Sequence, residues 1–144
     1  GSGRDDVSYG CHQINEHCQS RGLHTPSKIL HSPYTRTLQT AEIIDAAFSH
    51  ATMAPADALT PSGRVDSVES ALASELDSEL APDHLVLVSH QPLVTYLLDR
   101  WLGRRGLVPP LSPSGFACVD MDVPSEGCAT LRFWAFPPLF ESGN

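Results

Sequence analysis

The chain has 144 residues, 41% of them hydrophobic, which suits one domain with a single core and requires no second. A formal charge of −8 and a single lysine, Lys28, exclude a chain built to coat nucleic acid, because phosphate-backbone binding needs clustered Lys and Arg. No apolar run approaches the length of a membrane span and no basic-then-apolar leader opens the chain, so a cytoplasmic setting without membrane association is expected.

Gly1-Ser2-Gly3 reads as a linker or cloning scar ahead of a domain spanning 4–136. Residues 10–21 have helical character, and Gly22 stops them. Within that stretch Cys11-His12 and His17-Cys18 invite a zinc reading, which geometry opposes. On a helix Cys11 and Cys18 stand two turns, about 10 Å, apart along the axis, too far for both sulfurs to reach one ion at about 2.3 Å. Four cysteines are also too few for a disulfide scaffold. They are expected as core or half-buried residues in a reduced compartment.

Residues 28–31 form a short strand, and 36–48 a helix whose buried side carries Leu38, Ile43, Ile44 and Ala47. After a weak extended stretch at 53–59, Pro61-Ser62-Gly63 turns the chain into a helix over 65–80, with apolar residues at 65, 68, 72 and 76. Residues 85–88, Leu85-Val86-Leu87-Val88, are continuously apolar and read as a buried strand. A helix follows over 92–102. Arg100, Arg104 and Arg105, the sole basic cluster, read as its solvated end beside Gly103 and Gly106. Pro109, Pro110 and Pro113 forbid regular structure before 116–122 and 130–136, which alternate as an antiparallel hairpin about Pro124-Ser125-Glu126-Gly127. Alternating β and α units ending in a hairpin indicate an α/β fold, a three-layer α/β/α sandwich with a mixed, mainly parallel sheet.

Two loops carry the chemistry. In each, an apolar strand run stops at small polar residues and turns into a helix, delivering one basic side chain at the carboxyl end of a strand, where open α/β sheets place ligands. Arg36 falls in the first helical turn, where free backbone N–H groups and the helix dipole favour an anion and a guanidinium can hold two phosphate oxygens. Its plainer reading is a surface arginine paired with Glu42 or Asp45. His90 emerges at the end of 85–88, and a lone histidine there also fits a structural role against a backbone carbonyl. Ser32 and Ser89 read as turn or cap residues.

The run Ser32-Pro33-Tyr34-Thr35-Arg36-Thr37-Leu38-Gln39-Thr40-Ala41 resembles the SP-x-x-R-x-x-Q-T-A signature of the histidine phosphatase (phosphoglycerate mutase-like) superfamily. Ser89-His90-Gln91-Pro92 resembles its second histidine motif. Gly10, Leu59-Thr60-Pro61-Ser62-Gly63 and Ser114-Gly115-Phe116-Ala117-Cys118-Val119 follow in the order found in the SixA-type phosphohistidine phosphatases, so the resemblance covers 4–136. It implies a phosphatase that needs no cofactor and no metal. Arg36 would bind the phosphoryl group and His90 would stabilise the charge developing on it. Arg4, six residues before Gly10, matches a phosphate-binding arginine of the SixA-type proteins, although Asp5-Asp6-Val7-Ser8 departs from their usual R-x-L-T. His12, His17, His24, His31, His50 and His84 match no functional position.

One departure bears directly on activity. The family opens with a strand ending in Arg-His-Gly, whose histidine attacks phosphorus and becomes a phosphohistidine, and no such triplet occurs here. That strand would be the centre of the sheet. The expectation is therefore a phosphatase whose nucleophile lies upstream of this sequence, or on a strand-donating segment outside it. The alternative is a pseudo-phosphatase that binds phosphate or phosphoproteins without turnover. The short interval between Glu42 and Leu85 leaves no room for a cap domain, implying an open site that admits a phosphorylated protein or small molecule.

Overall fold

The computed structural model describes residues 2–137, with side chains from residue 5 onward. Helix α1 (Ser2–Arg21) leads into β1 (Lys28–His31), α2 (Thr35–Ala47), β2 (Thr52–Pro55), a 3-10 turn (Asp57–Leu59), α3 (Val65–Leu76), β3 (Leu85–Val88), α4 (Leu93–Leu102), β4 (Phe116–Met121) and β5 (Ala129–Ala135). This is the expected α/β architecture with its elements in the expected order.

Strand β1 organises the sheet. It pairs in parallel with β2 on one side, Leu30 opposite Ala54, and with β3 on the other, Leu30 opposite Leu87. Because successive strand residues face opposite sides, β1 feeds two cores. Ile29, fully buried, packs with Val7 and Cys11 of α1 and with Ala41, Ile44 and Phe48 at α2. Leu30 points the other way, into Leu59, Val68, Leu72, Leu93, Leu97 and Trp101 from the 3-10 turn, α3 and α4.

The remaining two strands form a ladder of their own, antiparallel with Phe116 opposite Ala135 and a register shift between Cys118 and Val119. Among the described strands, β4 and β5 pair with none of the parallel three. Helices hold the hairpin in place instead. The His17 ring of α1 lies 4.1 Å from that of Phe133, Met121 and Ala129 pack against the α3/α4 core, and Gly127 N–H donates to the Arg100 carbonyl at 3.0 Å.

Several local expectations shift. Helix α1 starts at Ser2, not at residue 10, because Val7 and Cys11 extend its apolar stripe across Gly10, and an interior glycine costs only about 1 kcal/mol. Helix α3 ends at Leu76, short of residue 80, with Asp77 N–H closing on the Ala73 carbonyl and Leu80 left 91% exposed. On α2 the buried stripe is Thr37, Ala41 and Ile44, while Leu38 and Ala47 face solvent. The Thr37 hydroxyl decides this rotation by bonding the Ser32 and Tyr34 carbonyls at 2.8 and 3.0 Å. Strand β3, expected fully buried, is half-buried along its length, since only one of its edges is paired among the described strands. No helix among the described residues is long and apolar enough to cross a membrane.

Leu97 sits at the centre of the second core with 4% exposure, whereas Leu80 touches little. Leu97→Ala is expected to lower unfolding free energy in urea by about 2–5 kcal/mol, and Leu80→Ala to change it by no more than about 0.5 kcal/mol.

Candidate functional site

The parallel pairing of β1 and β3 brings the two candidate loops to one edge. His31 stands opposite Val88, and Ser32 N–H donates to the Val88 carbonyl at 3.0 Å, so the chain leaves both strands side by side. From there one loop enters α2 and carries Arg36, while the other carries Ser89 and His90 into α4.

Ser32 is fully buried and ties the loops together. Its Oγ lies 2.7 Å from His90 Nε2 and 2.9 Å from Thr37 Oγ1, and it accepts the Tyr34 N–H at 3.4 Å. The Tyr34 ring meets the His90 ring edge-on with centroids 5.1 Å apart, leaving Tyr34 about half exposed. Ser89 anchors the second loop from beneath, its hydroxyl donating to the Leu59 carbonyl at 2.7 Å. Gln91, followed by a cis peptide to Pro92, accepts Thr95 N–H at 3.1 Å and so caps α4. His90 is thus gripped from both sides. Burial pushes its pKa below the ordinary 6.5, so the ring is neutral at pH 7.

Arg36 lies on the exposed first turn of α2 and forms no ion pair or side-chain hydrogen bond among the described residues; neither Glu42 nor Asp45 takes it. No side chain caps α2, so its first N–H groups remain available to an anion. The carboxyl ends of two paired strands are thus flanked by the open N-terminus of α2, whose first turn carries Arg36, and by the His90 imidazole. Such donors suit a tetrahedral oxyanion.

Arg4 stands in the first turn of α1, and its side chain lies outside the described residues. His31 is buried in β1 with Nδ1 2.9 Å from the Ser32 carbonyl, and His84 sits by the His24 carbonyl at 2.8 Å. Arg100, read as a solvated helix end, is exposed in the last turn of α4 and also pairs with Glu69 at 2.7 Å, a carboxylate that accepts Trp101 Nε1–H at 2.9 Å. Cys11 belongs to the α1/α2 core, and burial pushes its thiol up to about 11. Among the described residues no group of three His, Cys, Asp or Glu side chains could hold a metal ion. Thr37 was not legible as a site residue. Its only sequence signal is its spacing with Ala41 and Ile44, which places it on the buried stripe.

No family model matches the chain, and no curated protein matches it by sequence. Among the solved structures similar to it are two SixA proteins. The protein histidine phosphatase SixA, complexed with tungstate, aligns with 24% identity over 92% of this chain and 76% of that one, at a TM-score of 0.65. A protein assigned as the phosphohistidine phosphatase SixA from Agrobacterium tumefaciens aligns with 18% identity over 94% and 77%, at 0.67. Likeness at these identities shows the fold: the chain shares the α/β architecture of the SixA proteins.

His17 and His90 both have pKa values held below 6.5, first of all by burial. The unfolded chain therefore binds more protons below about pH 7, and stability is full at higher pH and falls as pH drops through 6.5. Thermal melts between pH 8 and pH 5.5 are expected to show Tm falling over that window, and the His17→Gln/His90→Asn double variant to show a flatter profile.

Proposed function

We propose that this chain is the greater part of a phosphatase that removes phosphate from phosphohistidine or from another phosphorylated protein or small molecule. The observation that carries the proposal is the grouping of His90 with the Arg36-bearing start of α2 at the joined ends of β1 and β3. The shared fold with SixA proteins, one of them complexed with tungstate, supports it. Arg36 would bind two phosphoryl oxygens and His90 would stabilise the charge growing on them, preorganised donors being most effective where charge develops. Arg4 is a third candidate phosphate ligand. In this reading residues 4–136 are one histidine phosphatase-like domain of a cytoplasmic protein, and residues 1–3 are a linker.

The attacking group would be a histidine that this sequence does not contain, carried on an upstream or donated strand ending in Arg-His-Gly. Its unprotonated nitrogen would displace the leaving group to form a phosphohistidine, which water then hydrolyses. Two edges offer such a strand a place. On β3, Leu85 and Leu87 direct backbone groups away from β1, and β4 is paired only with β5 among the described strands. The apolar side chains of both strands are half-buried. Inserted there, a strand would satisfy backbone groups and cover apolar surface on both sides. His90 is a poor substitute nucleophile, because a ring placed to donate to equatorial oxygens is not in line with the leaving group.

The second reading, a pseudo-phosphatase that only binds phosphate or phosphoproteins, draws on the same residues and differs in having no phosphoenzyme. The 144-residue chain is expected to give no acid-labile phosphoprotein with a radiolabelled phosphohistidine substrate, and a version extended by a strand ending in Arg-His-Gly to give both a phosphoenzyme and a higher Tm. In that extended protein Arg36→Ala is expected to cost about 3 kcal/mol or more of transition-state stabilisation, and turnover is expected to persist in EDTA. A binding module would yield no label in either version.

A further inference from the structure

The hydroxyl contacts around His90 fix more than its position. Thr37 Oγ1 lies 2.8 Å from the Ser32 carbonyl and 3.0 Å from the Tyr34 carbonyl. Carbonyl oxygens only accept, so the single Thr37 hydroxyl proton is committed to them. The 2.9 Å contact between Thr37 Oγ1 and Ser32 Oγ must then be donated by Ser32, whose one proton is thereby spent. Ser32 Oγ is left only with lone pairs for its 2.7 Å contact with His90 Nε2 and its 3.4 Å contact with the Tyr34 N–H. Reversing the order would set a hydroxyl lone pair against two carbonyls in a buried site, where an unmade hydrogen bond costs most.

We propose that the Ser32–Thr37 hydroxyl pair is a positioning device that commits the neutral His90 ring to the tautomer protonated on Nε2. The proton runs from Nε2 toward Ser32, from Ser32 toward Thr37 and from Thr37 to the loop carbonyls, leaving Nδ1 as the lone-pair nitrogen. Ser32 and Thr37 act through His90 and not on a ligand. This assignment stands on the hydrogen-bond geometry alone. Its consequence rests on the anion-site reading: the only N–H of the neutral ring is already engaged, so His90 offers an anion a further donor only after Nδ1 takes up a proton. The groups against the ring are the Ser32 hydroxyl, itself held by Thr37, and the titratable Tyr34 side chain, with Ser89 and Gln91 flanking it in its own loop. Burial, which disfavours the charged ring, works against that uptake in the absence of an anion.

Nitrogen-15 NMR of the imidazole side chains in the 144-residue protein tests the assignment at a pH above the His90 titration, without substrate or turnover. The expected spectrum shows His90 Nε2 protonated and Nδ1 unprotonated. Thr37→Val frees the Ser32 proton to point at Nε2 and is expected to move the ring toward the Nδ1-protonated form, while Thr37→Ser restores the wild-type pattern. A wild-type ring protonated on Nδ1, or a folded Thr37→Val protein with an unchanged tautomer, would overturn the proposal. Sulfate, whose own charge is constant over the range, separates the two levels. Binding that weakens about tenfold per pH unit above the His90 titration supports the coupled proton. Binding that leaves the His90 resonances unmoved contradicts the anion-site reading and leaves the tautomer result intact.

Discussion

The structure depends on the pairing of β1 with β3. A parallel ladder of four residues a side, closed by Ser32 N–H on the Val88 carbonyl, sets two strand ends next to each other, about 4.8 Å apart. Each chain then turns away into a helix. Slip the register by one residue and Ile29 and Leu30 exchange cores, Ser32 loses its backbone partner, and His90 moves off the Ser32 hydroxyl. The same pairing therefore specifies both hydrophobic cores and the candidate site. Ser32 is small and polar for that reason: it must be buried between two loops while linking a backbone, an imidazole and a threonine.

Helices carry what the sheet does not. The β4–β5 hairpin is joined to the rest through α1, at the His17–Phe133 contact, and through α4, at the Arg100 carbonyl and the core around Trp101. Glu69 reinforces the second attachment by holding Arg100 and Trp101 with one carboxylate, whose pKa is lowered first by the Arg100 hydrogen bond. Two helices spanning from the parallel strands to the hairpin explain how the α/β order persists although the strands fall into two ladders. Helices cover both faces of β3, and β3 and β4 each keep one edge unpaired among the described strands, which leaves both half-buried.

Much of this was legible in the sequence because it was written in periodicity. The apolar run at 85–88, the 65, 68, 72 spacing of α3 and the prolines before Phe116 each located an element. Edges and rotations were less legible. Leu85-Val86-Leu87-Val88 reads as fully buried because its composition is that of a central strand, and composition does not reveal which strands lie beside it. Leu38 reads as core on α2, yet the two hydrogen bonds of Thr37 to the preceding loop turn the helix so that Thr37 lies inside. Arg36 and His90 stood out as basic side chains at strand ends, whereas Thr37 acts through a neighbour in the fold and leaves no such mark. The rings at 17 and 133 meet across 116 positions of chain, a contact that no local pattern encodes.

The central claim is that Arg36 and His90 serve one tetrahedral oxyanion at the joined ends of β1 and β3. A crystal structure of the protein grown or soaked with tungstate tests it most directly, because the heavy anion is located without ambiguity. The account predicts tungstate against the first turn of α2, with the Arg36 guanidinium and the His90 ring both in hydrogen-bonding contact. Tungstate bound away from both side chains, for example at Arg104 and Arg105, with the β1–β3 edge empty, would contradict it.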